Sequence, residues 1–160
     1  MNPTIPNFDL NEFYQLVADM ERLKAEQRMV TDKILRISAA VGKEETQSFR
    51  RLKVIECAKE AIKIALNVTF EQMTMKSSKA PFPFARNVFA RLLTTHSSIK
   101  LAEVALMCNR THSVFVIGRQ QLEIDVRLYP EKRQSVEKIE NIFHTLLNKA
   151  MHSHESEPLS

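Results

Sequence analysis

The chain has 160 residues, 44% of them hydrophobic, a formal net charge of +4, and only 2 glycines and 6 prolines. So few turn formers exclude a turn-rich β protein, and the dominance of Ala, Leu, Lys, Glu, Arg and Met predicts an all-α fold. No apolar run reaches the roughly 18 residues of a membrane span and no signal peptide is visible, which predicts a cytoplasmic protein without a membrane partner.

Residues 1–9, with two prolines, read as a flexible arm. From Leu10 a helical pattern runs to about Val41, where Gly42 is a suitable stop. Its apolar residues repeat at heptad spacing: Phe13, Met20, Gln27 and Ile34 in one position, Leu16, Leu23, Val30 and Ile37 in the other. Such a seam buries itself against a partner helix. In a parallel homodimer through residues 10–41, Asp19 of one chain would face Lys24 of the other, and Gln27 would fix register. Packing of the seam on the chain's own helices is the alternative. Residues 10–47 are therefore one segment, a long helix and possible coiled coil, and residues 48–151 are the next.

That second segment opens with a helix from about Phe49 to Leu66. Thr69 is placed to cap a short turn holding Phe70 and Met73. "KSSKAPFPF" is a basic loop whose prolines cannot continue a helix. Further helices are predicted from about Ala85 to Thr95, from Leu101 to Met107, from near Asn109 to about Leu128, and from about Glu131 to Met151. Pro130 ends the third of these. The remainder, 152–160, is polar and reads as a disordered tail.

Charge is unevenly spread. Residues 1–47 carry 6 basic and 8 acidic side chains, residues 48–133 carry 15 and 7, and residues 134–160 carry 2 and 4. The basic excess coincides with "NRTHSVFVIGRQQLE", in which Arg110, Thr111, His112 and Ser113 would open a helix that Val114, Phe115 and Ile117 anchor to a core. With "LAEVALM" before it, this is the pattern of a helix-turn-helix, whose second helix presents first-turn side chains to the major groove.

The segment from about Val54 to Leu147 resembles the C-terminal DNA-binding domain of the bacterial replication initiator DnaA. "CNRTHSVF" is similar to that family's "GGRDHTTV", with one residue fewer in the turn. "LAEVA" at Leu101–Ala105 is similar to "L-x-E-I-G", "ARN" at Ala85–Asn87 to "A-R-Q", and "RQQLE" to "x-R-K-I-E". The resemblance implies a minor-groove contact for Arg86, base and phosphate contacts for Arg110, His112 and Ser113, and phosphate contacts for Lys76 and Lys79 in the basic loop. Thr111 stands where the family has an aspartate that helps read bases, and Val114 where it has a threonine, so the family's recognition box is not expected to carry over intact. Arg119 completes the expected DNA-binding set.

No "GxxxxGK[ST]" is present, so neither nucleotide binding nor an ATPase is expected. Cys57 and Cys108 are far apart, which predicts no disulfide and no cysteine metal site. Cys108 reads as a small filler between the two helices of the motif rather than a nucleophile. His144 reads as a packing residue, and His152, His154 and Glu155 as part of the tail. The expectation is a non-enzymatic, cofactor-free protein that recognises double-stranded DNA in replication or transcription and is nucleoid-associated. The alternative is a helical adaptor that keeps a degenerate DNA-binding fold.

Overall fold

The computed structural model describes residues 9–155, so most of the expected arm and the last residues of the expected tail lie outside the described part. The chain is all-α. Among the described residues six helices follow in order: α1 (Leu10–Leu66), α2 (Phe70–Thr74), α3 (Phe82–His96), α4 (Leu101–Met107), α5 (His112–Leu128) and α6 (Pro130–Glu155). The chain divides into two compact units, Met1–Thr46 and Gln47–Ser160.

In the first unit the helix carries its apolar residues exposed: Leu16, Met20, Leu23, Val30, Ile34 and Ile37 all face solvent. The expected stop at Gly42 does not occur, because α1 is continuous from Leu10 to Leu66. A glycine ends a helix only by taking the left-handed conformation that closes the last carbonyls. Here no glycine has a positive φ, and Thr46 Oγ1 donates back to the Gly42 carbonyl at 2.8 Å within an unbroken helix. The real end is at Asn67, with φ of 55°, whose N–H returns to the Lys63 carbonyl at 2.9 Å.

The second unit is built around α3. Val88, Phe89, Leu92 and Leu93 on it are fully buried, and it contacts α2, α4 and α5. Val54, Ala58 and Ile62, from the end of α1, join the same core with Phe115 of α5 and Ile139 and Phe143 of α6. Thr69 caps α2 as expected, its hydroxyl accepting from Gln72 N while the Gln72 side chain accepts from Thr69 N. Gly118 sits where α5 crosses α3: a Cβ there would land inside contact distance of the Asn87 side-chain amide, so a larger residue would displace that side chain.

Three further boundaries differ from expectation for identifiable reasons: α3 starts at Phe82 rather than near Ala85, because Pro83 falls in its first turn, where a missing N–H costs no helical bond. Pro130 begins α6 rather than merely ending α5; its fixed φ and missing N–H suit a first helical position. Asp125 joins the two helices: 6% exposed, it accepts from Gln121 Nε2 at 2.8 Å and Lys132 Nζ at 2.7 Å. At the chain's end α6 continues to Glu155, past the predicted Met151, because no breaker interrupts "MHSHE". No described helix is long and apolar enough to cross a membrane.

Candidate nucleic-acid interface

The turn between α4 and α5 fixes the geometry of the candidate site. Asn109 has φ of 53°. Its N–H donates to the Leu106 carbonyl at 3.1 Å and that of Arg110 to the Ala105 carbonyl at 2.9 Å, the paired bonds of a Schellman closure with asparagine in the left-handed position. Asn109 and Arg110 therefore belong to the end of α4, not to the start of α5 as the sequence suggested. The helix opens instead at His112, with Thr111 as N-cap residue. Cys108 fills the turn completely buried, and burial pushes its thiol up to about 11, which keeps it protonated and non-nucleophilic at neutral pH.

Thr111, His112 and Ser113 are all exposed. Thr111 makes no capping bond to the helix; its hydroxyl lies 3.1 Å from that of Ser113 instead. The first turn of α5 thus keeps backbone donors available to an incoming acceptor. Beside it a shallow hollow is lined by Lys76, Leu106, Asn109, Arg110, Thr111 and Val114. It contains two cations and no carboxylate.

Two of the three arginines of the expected set, Arg86 and Arg110, occupy unexpected places. Arg86 is 4% exposed, so in this conformation it is not presented to a groove. Its Nη1 donates to the carbonyls of Met73 at 3.3 Å and Met75 at 3.2 Å, and its Nη2 to that of Ser77 at 2.7 Å. Burial and the nearby Arg110 charge both pull its pKa below the ordinary value. Arg110 is half-buried and its Nη2 donates to two of the same carbonyls, Met75 at 3.0 Å and Ser77 at 3.3 Å. Its Nε–H is buried with no acceptor among the described residues.

A sequence motif fixes residue types but not where the preceding loop will run. Here the Met75–Ser77 backbone passes over both guanidinium groups, and that backbone gives no sequence signal. Lys76 and Lys79 are exposed on this loop, Lys79 N donating to Ser77 Oγ at 3.2 Å.

Arg119 does not join them. It lies two turns along α5, paired with Glu123 at 3.5 Å, at a second hollow between α3, α5 and α6 where Arg91 and Glu140 also pair. Of the three expected anchors only Phe115 is buried, because the inner side of α5 runs through Phe115, Gly118, Leu122 and Asp125; Val114 and Ile117 are exposed instead, with Ile124 and Leu128, along its outer face, at the spacing of one helical stripe. Sequence reasoning also passed over Glu103. It accepts from Lys100 N at 2.6 Å and pairs with Arg51, which starts α4 and ties it to the end of α1. The backbone bond from Lys100 and the bond from Arg51 hold its carboxyl below the usual range. His144 stacks edge-on against His96 and Phe143. No described group of three or more His, Cys, Asp or Glu residues is arranged to hold a metal.

Comparison with protein-family models, curated proteins and solved structures finds no match for the chain.

Proposed function

We propose that the protein is a non-enzymatic double-stranded DNA-binding protein of DnaA C-terminal-domain type, docking the first turn of α5 in a major groove. One observation carries this reading. Lys76 and Arg110 line a carboxylate-free hollow beside the exposed Thr111, His112 and Ser113. A phosphate would meet two cations and a helix N-terminus there. Lys76, Lys79 and Arg110 hold the phosphate backbone, Thr111, His112 and Ser113 reach base edges, and Arg119 lies outside the contact surface. The protein works without nucleotide or other cofactor, in the cytoplasm at the nucleoid, in replication or transcription. It self-associates through the exposed seam of residues 10–41.

A salt titration tests this reading. With about three cations on phosphates, affinity for random duplex DNA should fall with a log–log slope of roughly −3. A flat affinity between low and physiological salt would remove it.

The exposed stripe on α5 favours a second reading. Val114, Ile117, Ile124 and Leu128 give this helix an outer face more suited to another apolar surface than to phosphates and base edges. On that reading the chain is an adaptor and α5 its docking helix. Failure to bind duplex DNA would put this one first.

A further inference from the structure

We propose that Arg86 is the positioning residue of the DNA-facing loop: buried beneath it, it holds Lys76 and Lys79 in place while Arg110 is released to a phosphate. This rests on the DNA-binding reading and assigns separate tasks to two arginines that bond the same backbone.

The segment from Met75 to Lys79 has few bonds of its own. Ser77 N donates to the Met75 carbonyl at 2.8 Å, and Phe82 N to that of Lys79 at 3.1 Å. Met75 N also donates to the Gln72 carbonyl of α2 at 3.3 Å; beyond that bond, what fastens the segment to the rest of the unit is the pair of guanidiniums. Arg86 reaches three carbonyls with two nitrogens, a spread that suits the planar fork of arginine. Arg110 reaches two of those three. A carbonyl oxygen has two lone pairs, so Met75 and Ser77 can each accept from both.

The two cations are not equivalent. Arg86 is buried and makes three bonds through both of its terminal nitrogens, and losing them would leave a desolvated charge unpartnered. Arg110 is half-buried, lines the open hollow, and holds the loop by one nitrogen only. Among the described residues its Nε–H has no acceptor, and neither guanidinium is paired with a carboxylate. A phosphate arriving in the hollow offers Arg110 a better partner than two shared carbonyls. When Arg110 turns to it, the three bonds of Arg86 still keep the loop, and with it Lys76 and Lys79, at the same surface.

The test uses the full chain. Binding to random duplex DNA is measured across a salt series for wild type, Arg86→Met, Arg86→Lys, the double variant Lys76→Ala/Lys79→Ala, and the double variant combined with Arg86→Met. Removing two phosphate contacts lowers the slope by about 1.8. Arg86→Met should lower it by a similar amount although Arg86 touches no DNA, and adding it to the lysine double variant should change the slope by less than about 0.5. Arg86→Lys, with three donors on a point charge, should restore part of the slope.

Amide hydrogen exchange without DNA gives an independent measure, should Arg86→Met fail to fold. In Arg86→Lys the amides of Ser77 and Lys79 should exchange faster, roughly tenfold or more, with those of Leu92 and Leu93 unchanged. A folded Arg86→Met with the wild-type slope, or unchanged exchange at Ser77 and Lys79, would overturn the inference alone. If the lysine double variant leaves the wild-type slope intact, or wild type does not bind, the DNA-binding reading itself fails and takes this inference with it.

Discussion

Arg86 and Arg110 mark what a motif can and cannot carry at the scale of the residue. Both types stand where the resemblance puts them, yet one is buried and the other is turned toward a loop carbonyl pair. Residue identity is visible in a sequence; the path of a proline-bearing loop thirty-odd residues away from Arg110 is not. Asn109 was legible in part. A turn was expected near it, but its left-handed φ of 53° shifts the helix start to His112. That conformation costs most non-glycine residues about 1–2 kcal/mol, with asparagine among the exceptions. Asn109→Val should therefore destabilise the unit by about that amount, and Asn109→Gly should leave it nearly unchanged. Urea denaturation of both variants measures this, and equal stabilities for the two would show that the Schellman turn is not under that constraint.

Asp125 gives the pH dependence at the same scale. The bond from Lys132, with help from Gln121 and against the effect of burial, holds its carboxyl below the ordinary aspartate value. As pH falls, the unfolded chain takes up this proton first. The stabilisation is therefore complete above the unfolded value of about 3.9 and is lost as pH falls through the lower folded value. Urea midpoints for wild type should drop more steeply than those of Asp125→Asn as pH falls below about 4. Parallel curves would mean that the Asp125–Lys132 pair contributes nothing to the elbow between α5 and α6.

Among the elements, the helices whose ends carry strong local chemistry were the easiest to foresee. The α4 helix spans Leu101–Met107 as predicted, and Thr69 caps α2 with the reciprocal Gln72 bond. The miss at Gly42 has a simple cause: glycine permits a stop but does not require one, and the residues beyond it, "KEE", are good helix formers. Nothing lies within 4 Å of a Cβ added at Gly42. Gly42→Ala should then stabilise α1 by about 0.5–1 kcal/mol, read as higher helical circular dichroism at elevated temperature. A loss of helicity would mean that Gly42 is a working joint and that the continuous helix is only one of its states.

Charge and apolar exposure are distributed by segment over the whole molecule, and the two distributions point to different partners. The acidic-leaning first 47 residues carry the heptad seam, while the basic excess follows in residues 48–133. A two-fold assembly through the seam would give each particle two copies of the α5 surface, and dimeric helix-turn-helix proteins read paired half-sites. Burying aspartate in such a seam costs several kcal/mol, so Leu23→Asp/Val30→Asp should be monomeric by analytical ultracentrifugation with the second unit still folded. Selection from a random duplex library should yield a two-copy motif for wild type and a single copy, bound more weakly, for that variant. His112→Ala should blur the motif in both, since base contacts specify sequence, whereas Lys79→Ala should weaken all sequences about equally. A wild type that is already monomeric at high micromolar concentration, or a motif of the same length for both proteins, would remove the paired arrangement. If no motif emerges for either protein while a partner protein protects Ile117 and Ile124 from hydrogen exchange, the apolar face of α5 is the working surface and the adaptor reading replaces the DNA-binding one.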